Sequence, residues 1–485
     1  MSVEALPLSS AEPARSTADA WWVFPAVPLF AAAVAFAWTL SGALARVYGM
    51  TGSAWDLAYH QQVIWSISHG QGFYSSFARA NFLGIHFEPI LVVLAAVEKL
   101  WPSPTVLLIF SSAGLAAAAP AAYLFFRAML PADGPESPWL AIALSAPIPF
   151  WAAMQEAASA FFHPENMALA FALFAAWAGI RGRRVLMWLF IVLALACKED
   201  QVYTVAALAI LMSAYGASNI KRHWRLLLYV AAAWLLIGSG IVPQLVRGGG
   251  YADFRNYAWL LGQDPSLPVT PLTVAEALVR PEALLAVAAI LASMFALPIL
   301  APRWLLLAIP PYLVNVLSAH DPQNVLRLHY VLLLLFPLIV AAAVGAKRVV
   351  EIRTIRPAVA LIAMLPALVL AYGTGRFPPA LGADASLYDK PNAVAELRAA
   401  ATIIPADAPV NADDGLAVWL ANRHTINDFP DRLDGISYVV IDSDPYLDGP
   451  TNPAQRNRIA AALPTSGRRL LYDDGRFQVY SPVGD

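Results

Sequence analysis

The sequence predicts an α-helical membrane protein that crosses the bilayer many times and ends in a small α/β domain. Hydrophobic residues make up 59% of the 485 residues and charged residues only 13%, whereas a soluble domain carries about 25% charged residues. The mean hydropathy is +0.58. The polar deficit lies in residues 21–373, while residues 374–485 have the composition of a soluble domain. A bilayer must therefore cover most of the first part of the chain.

Apolar segments of membrane-spanning length recur through residues 21–373. A helix needs about 20 apolar residues to cross the hydrocarbon core. Long and shorter segments together predict a bundle of about 11 transmembrane helices, with roughly 10–13 as the limits. The longer segments are 21–44, 104–130, 226–246, 283–300, 328–345 and 358–373, and the shorter ones are 139–153, 166–180, 185–197, 202–215 and 304–317.

Basic residues in four connecting segments predict the orientation, because cytoplasmic loops are enriched in Lys and Arg. With the spans above, all four segments fall on one side of the membrane. The N-terminal tail, residues 1–20, is then a disordered cytoplasmic segment, and the C-terminal domain lies outside a cytoplasmic (inner) membrane. This assignment of the chain ends to the two sides requires that residues 89–101 form an interfacial or re-entrant helix. If these residues cross the membrane instead, only the N-terminus changes side. The basic segments contain Arg181, Arg183 and Arg184; Lys221, Arg222 and Arg225; Arg303; and Lys347, Arg348, Arg353 and Arg356.

The tail after residue 373 has the alternation of a small extracytoplasmic α/β domain. Residues 391–404 and 452–463 have helical spacing, and residues 436–442 form a β-branched run typical of a buried strand. Two further short strands flank Asp473-Asp474-Gly475, which is a hairpin signal.

Ionisable residues gather in the segments predicted to be external, above all in the long first loop, 45–103, and in the loop 247–281. Charged groups at the membrane edge are costly, so they usually pair, line a cavity or act chemically. We therefore expect the functional site on the extracytoplasmic face. The near-neutral net charge of −2 argues against a nucleic-acid partner.

Several of these residues can be interpreted either as functional or as structural. Asp56 lies among aromatic residues, which would raise the pKa of a general base, but it also suits the cap of a helix over 57–67. His163 and Glu165, with His86, have side chains that bind divalent metal ions; Glu165 is equally explained by the dipole at a helix N-terminus.

Two interpretations are also open for the charged triplet Lys198-Glu199-Asp200 and for the arginines predicted to be external. The triplet is either an internally paired, solvated turn or a functional group of charges held at the membrane surface. Arg255 and Arg327 suit phosphate binding, but anionic lipid headgroups are their simpler partners.

A set of short motifs occurs in a fixed order along the chain. The motifs are Asp56-Leu57-Ala58-Tyr59-His60-Gln61-Gln62, Gly84-Ile85-His86-Phe87-Glu88-Pro89, Phe162-His163-Pro164-Glu165, Cys197-Lys198-Glu199-Asp200, Phe254-Arg255-Asn256-Tyr257, Leu261-Gly262, Leu328-His329-Tyr330, and Ile404-Pro405 followed by Pro409-Val410-Asn411-Ala412. In this order the motifs resemble the integral membrane family called domain of unknown function 2079. The resemblance extends from about residue 50 to residue 480.

That family in turn resembles the GT-C superfamily of membrane glycosyltransferases. The resemblance implies a GT-C-like bundle and an enzyme that transfers a sugar from a polyprenyl-phosphate donor to an extracytoplasmic acceptor, an envelope glycan or lipid. It also implies that Asp56, an acidic residue of the first external loop, acts as general base or orients the acceptor, and the role of general base is the one preferred here. Many GT-C enzymes carry two adjacent acids there, whereas Asp56 precedes Leu57, so a second carboxylate would come from elsewhere.

The resemblance leads to a set of expected site residues. Asp56, Glu199 and Asp200 are the candidate catalytic residues. Lys198, Arg255 and Arg327 are candidates to hold the departing phosphate. The remaining candidates for substrate binding are His60, His86, Glu88, His163, Glu165, Tyr257, His329 and Tyr330, and a divalent ion on His163, Glu165 and His86 stays open.

A membrane transporter or flippase for a lipid-linked or small polar substrate is the alternative function. Its spans would line a polar path and often form inverted repeats. The long spans here contain almost no ionisable groups, and the sequence has no inverted repeat. A scaffold protein would explain the tail but not the polar external segments. Glycosyl transfer is therefore the preferred hypothesis.

Overall fold

The computed structural model describes residues 23–132, 134, 136–247, 252–264, 266–353, 355–447 and 452–484. The tail at residues 1–20, expected to be disordered, lies outside these ranges.

Helices dominate the first three quarters of the chain. Within the described ranges, six helices are long and apolar enough to cross a membrane: Pro25–Tyr48, Thr105–Met129, Ser137–Ser159, Trp224–Arg247, Asp321–Ile352 and Pro357–Thr374. The shorter helices include Glu165–Ile180, Arg184–Cys197, Val202–Tyr215, Pro281–Ser293 and Ile309–Val316. Each segment predicted as a span coincides with helical structure, and a small sheet domain follows. The predicted fold class is confirmed.

The shorter helices depend on their neighbours. Val202–Tyr215 has 14 residues, which extend only about 21 Å at 1.5 Å per residue. Small residues allow close packing in such bundles. At Gly114, in the middle of Thr105–Met129, a Cβ atom would lie 2.7 Å from the Cα of Met167 on the adjacent helix. This glycine is therefore required for the contact between the two helices.

The connecting segments rich in Arg and Lys lie at one end of the helix bundle, which we call the basic end. Glu165–Ile180 leads to Arg181, whose guanidinium donates to the carbonyl of Arg127 at 3.4 Å. Nζ of Lys347 lies 5.1 Å from the ring of Tyr215, the last residue of another helix. The motifs predicted to be external therefore lie at the other end of these helices.

The first long loop forms a layer over this other end of the bundle. It contains a π-helical turn, Ala54–Ala58, the helix Tyr59–Ser68 and a hairpin of β1, Tyr74–Ser75, and β2, Ala80–Asn81. The helix Leu91–Glu98 follows; its 8 residues extend about 12 Å, short of the roughly 30 Å hydrocarbon core.

The second long loop contains the 3₁₀ segment Ala252–Leu261 and the helix Pro271–Leu278.

The C-terminal domain contains a five-stranded mixed sheet. Its strands are β3, Val410–Ala412; β4, Ile426–Asp428; β5, Tyr438–Asp442; β6, Arg468–Asp473; and β7, Phe477–Val483. Their order is β4-β3-β5-β7-β6. β3 is parallel to β4 and β5, and the remaining pairs are antiparallel. The helices are Val394–Ala401, Asp414–Leu420 and Pro453–Ala462.

The sheet domain docks on the first loop through polar contacts. Gln61 donates to the side chain of Asn422 at 2.7 Å. Gln62 donates to the carbonyls of Arg423 and His424, at 3.2 and 3.0 Å. Because buried side-chain hydrogen bonds need matched partners, these contacts define one orientation of the domain on the loop.

Candidate functional site

One cavity of about 710 Å³ lies between the first loop, the non-basic end of the bundle and the C-terminal domain. This volume is in the range of small-molecule sites. The cavity brings together eight of the residues expected from the sequence: Asp56, His60, His86, His163, Lys198, Arg255, His329 and Tyr330. Its other walls include Ser53, Trp55, Tyr59, Phe77, Arg247, His320, Leu328 and Arg432.

Asp56 lies in the π-helical turn Ala54–Ala58, a geometry often associated with functional sites. Ser53 caps this turn by accepting a hydrogen bond from the Asp56 amide at 3.3 Å. The reading of Asp56 as the helix cap is therefore wrong. Its carboxylate is 25% exposed and lies 3.6 Å from Nε2 of His163. It can therefore meet both a ligand and an imidazole.

His60 supports the Asp56 turn from behind. Its Nδ1 donates to the carbonyl of Asp56 at 2.6 Å, and its Nε2 lies 3.2 Å from Oε2 of Glu88. Burial raises the pKa of the Glu88 carboxyl, although His60 opposes this effect. Since Nδ1 must carry a proton to donate to a carbonyl, Nε2 and Glu88 can share a second proton.

His163 stacks on His329, with ring centroids 3.5 Å apart and an interplanar angle of 20°. Burial lowers the pKa of His163 well below its usual value, and the charges of His60 and Lys198 lower it further. A neutral His163 can contact a second imidazole without charge repulsion. It can also direct an Nε2–H toward Asp56.

Lys198 is an ammonium group held at the edge of the bundle. It follows Arg184–Cys197 in an extended conformation, and its Nζ lies 2.5 Å from Oε1 of Glu165. Burial lowers the pKa of Lys198, but Glu165, Asp200 and Glu199 outweigh burial and raise it well above its usual value. Lys198 therefore keeps its positive charge beside the cavity.

The three residues of the charged triplet have different environments. Glu199 accepts from the amide of Phe87 at 2.6 Å and lies 3.6 Å from Nδ1 of His86, so it ties the first loop to the bundle. Asp200 accepts from Gln201 at 3.0 Å and does not line the cavity. Burial raises the Asp200 pKa to about 7, with Lys198 opposing and Glu165 and Glu199 reinforcing the shift. Since Lys198 pairs with Glu165, the reading as an internally paired turn is wrong.

Guanidinium groups from distant parts of the chain reach the same cavity. Arg247 donates to the carbonyl of Gly84 at 3.2 Å. Arg432, from the C-terminal domain, donates to the carbonyls of Ser76 and Phe77, at 3.0 and 2.6 Å. Together with Arg255 and Lys198, these groups make the cavity suitable for an anion, since guanidinium binds phosphate oxygens well.

Besides Asp200, two expected residues, Arg327 and Tyr257, lie apart from this cavity. Arg327 lines a neighbouring cavity of about 330 Å³ together with Glu156 and Arg376. The hydroxyl of Tyr257 donates to the carbonyl of Val314 at 2.8 Å and accepts from Gln323 at 3.2 Å. Three other expected residues, Glu88, Glu165 and Glu199, lie behind the cavity wall and bind its histidines or Lys198.

The three residues considered as metal ligands are not grouped around one point. His86 approaches Glu199, His163 approaches Asp56, and Glu165 binds Lys198. Across the described ranges, no group of three His, Cys, Asp or Glu side chains is arranged to hold a metal ion.

Sequence reasoning missed Ser53 and Arg432. No local pattern in the tail marks Arg432, because its importance comes from docking on the first loop. Leu328 and Arg432 in the cavity wall have left-handed backbone, with φ of 54° and 60°. Phe161, next to Ala160 of the same wall, has a φ of 59°. Such strain in non-glycine residues clusters where surrounding structure imposes it, often at functional sites.

The comparisons with known proteins identify the family. The family described as "Predicted membrane protein (DUF2079)" matches residues 46–462. The chain therefore belongs to this family of membrane proteins, which confirms the resemblance inferred from the ordered motifs. No curated protein matches the chain.

One solved structure similar to the chain is ArnT from Cupriavidus metallidurans bound to undecaprenyl phosphate. It has a TM-score of 0.43 and 12% sequence identity, over 97% of this chain and 99% of that chain.

Proposed function

We propose that the protein is a membrane glycosyltransferase that transfers a sugar from a polyprenyl-phosphate donor to an acceptor hydroxyl at the extracytoplasmic face. The observation that carries the proposal is the convergence, in one cavity, of the Asp56 carboxylate with Lys198 and the guanidinium groups of Arg247, Arg255 and Arg432. A base and a phosphate-binding surface are the two elements that displacement of a phosphate from a sugar requires.

In this proposal, Asp56 takes the proton from the acceptor hydroxyl as that oxygen attacks the anomeric carbon. The bond between this carbon and the phosphate oxygen breaks, and the polyprenyl phosphate leaves with the electron pair. Fixed cations stabilise the negative charge that grows on the phosphate. A single displacement inverts the configuration at the sugar carbon.

The groups around Asp56 support this role. Neutral His163 approaches the carboxylate at 3.6 Å and can orient it without neutralising it. Glu165 holds Lys198 through a direct ion pair, and His329 stacks on His163. The rings of Trp55, Tyr59 and Tyr330 in the cavity wall provide faces for a sugar.

The proposed orientation follows from the two ends of the helices. If the basic end faces the cytoplasm, as the positive-inside rule requires, the cavity opens on the extracytoplasmic side of the cytoplasmic membrane. A polyprenyl tail would then lie along the lipid-facing side of the bundle, and a glycan or lipid of the cell envelope would supply the hydroxyl.

Transfer of labelled sugar from polyprenyl-phosphate donors in membrane fractions tests the proposal. We expect Asp56→Asn to lower incorporation by about 100-fold or more, the usual contribution of a general base. Asp407→Asn, which changes an exposed carboxylate of the C-terminal domain, is the matched control and should leave transfer unchanged.

Two outcomes would contradict this proposal. Equal incorporation by Asp56→Asn and wild type would remove Asp56 as the base. Movement of the lipid-linked sugar across vesicles without its consumption would favour the flippase alternative.

A further inference from the structure

Four aspartates lie at the carboxyl ends of the parallel strands of the C-terminal sheet. Asp413 and Asp414 follow β3, Asp428 ends β4 and Asp442 ends β5. Open α/β sheets bind their ligands at the carboxyl ends of parallel strands. In this chain, residues 54 and 55 of the first loop reach the same edge.

Two of these aspartates bind the residues immediately before Asp56. The amide of Ala54 donates to the carboxylate of Asp414, and the indole Nε1 of Trp55 donates to Asp428 at 3.3 Å. Asp414 and Asp428 are only 1% and 2% exposed. Hydrogen bonds shielded from water are electrostatically stronger than those exposed to solvent.

The approach of the two parts is close enough to require glycine. At Gly415, next to Asp414, a Cβ atom would overlap the carbonyl of Met50. At Gly52 it would lie 3.0 Å from Cγ2 of Val418. The segment that leads into the Asp56 turn is therefore held against the domain through its backbone as well as its side chains.

We propose that the carboxyl edge of the C-terminal sheet positions Asp56, with Asp414 and Asp428 as positioning residues. Asp414 and Asp428 hold the turn from one side, and His60 holds it from the other through the Asp56 carbonyl. The Asp56 carboxylate is thereby directed at the cavity and at His163. The catalytic consequence rests on the proposed function.

Other contacts hold the domain in place independently of this edge. Gln61 binds Asn422, and Trp419 donates to the carbonyl of Val47 at 3.1 Å. Removal of one carboxylate should therefore loosen the turn without undocking the domain. This separation makes the positioning role distinguishable from general support of the interface.

Hydrogen exchange on the full-length protein in detergent tests the positioning directly. We expect Asp414→Ala and Asp428→Ala to speed exchange of the amides at residues 54–58 by about 10-fold, since local opening governs exchange. Asp414→Asn and Asp428→Asn keep an acceptor oxygen and should restore slow exchange. Asn422→Ala, which removes a contact of the same interface away from the turn, is the matched control.

Turnover provides the second readout. A displacement of about 1 Å at a catalytic group can cost roughly 100-fold in rate, so we expect the alanine variants to lose about that much in kcat with little change in KM. Asn422→Ala should keep its kcat. A purely structural role would instead lower the amount of folded protein and leave kcat per folded molecule unchanged.

The outcomes separate this inference from the proposed function. Unchanged exchange at residues 54–58 in both alanine variants overturns the positioning role, whatever the activity. Faster exchange with an unchanged kcat overturns its link to Asp56. If the wild type transfers no sugar, the proposed function fails, while the exchange data still decide whether the sheet edge holds the turn. Asp428→Ala, which loses only a side-chain contact, keeps the test available if Asp414→Ala does not fold.

Discussion

Lys198 and Glu165 form a buried ion pair, with Nζ 2.5 Å from Oε1 and side chains only 6% and 4% exposed. Lys198 comes from the break between two helices, and Glu165 begins another. The pair therefore joins two chain segments at the edge of the cavity. Taking both charges out of water is costly, and their attraction offsets this cost only while both partners are present.

Replacement of Lys198 by methionine should destabilise the protein by about 3–5 kcal/mol, because Glu165 would remain buried without its partner. Reversible unfolding in mixed micelles measures the change. Lys347→Met, which removes a half-buried ammonium group 4.0 Å from the exposed carboxylate of Glu351, should change stability by less than about 1 kcal/mol. The double variant Lys198→Met/Glu165→Leu should regain most of the loss; equal destabilisation of the single and double variants would argue against the pair.

His163 should make stability depend on pH in the acid range. Burial lowers its pKa in the folded protein, whereas unfolded histidine titrates near pH 6.5. The unfolded state then binds more protons, so stability is full above about pH 6.5 and is lost as the pH falls below it. His163→Gln should flatten this part of the unfolding curve, while His424→Gln, at an exposed ring, should not. Parallel curves for wild type and His163→Gln would contradict the prediction.

Asp200 should make stability depend on pH in the direction opposite to that of His163. Its folded-state pKa of about 7 lies above the unfolded value near 3.9. The folded protein therefore binds the extra proton, and stability declines as the pH rises from about 4 to 7. Asp200→Asn should be more stable relative to wild type at pH 8 than at pH 4.5, as measured by unfolding at both pH values. Asp407→Asn is the control. A difference in stability between Asp200→Asn and wild type that does not change with pH would contradict the raised pKa of Asp200.

Arg432 should affect binding of the anionic donor more than the chemical step. It belongs to the C-terminal domain but lines the cavity through contacts with the first loop. We expect Arg432→Gln to raise the KM for the polyprenyl-phosphate donor by about 10-fold, in line with loss of a charge-assisted hydrogen bond. Arg458→Gln, on an exposed face of the helix Pro453–Ala462, is the control. An unchanged KM would remove Arg432 from the phosphate-binding surface.

Most of the helical architecture could be predicted from the sequence because long apolar segments have few structural alternatives in a membrane. The hairpin around Asp473-Asp474-Gly475 and the strand ending at Asp442 were also readable from local patterns. The strands Val410–Ala412 and Ile426–Asp428 were not predicted. Each has only three residues, too few to show an alternating pattern.

The residues of the candidate site could be predicted from the sequence, but the contacts between them could not. Loop polarity and ordered motifs pointed to Asp56, His163 and Lys198. Their partners depend on three-dimensional packing: the ion pair of Lys198 and Glu165 spans 33 residues, and the bond from Ala54 to Asp414 spans 360. No local sequence pattern predicts contacts between residues so far apart in the chain. Arg327 lines a second cavity together with Glu156, a placement that local patterns could not indicate for the same reason.

The 360-residue separation between Ala54 and Asp414 has a consequence for biosynthesis. Synthesis runs from the N-terminus at about 5–20 residues per second, so the Asp56 turn is made tens of seconds before the strand edge that holds it. During that interval the nascent chain can insert its helices but cannot complete the cavity. Maturation of the site is therefore a late, post-insertion event, and a ribosome that stalls before Asp414 leaves a membrane-embedded chain without a finished site.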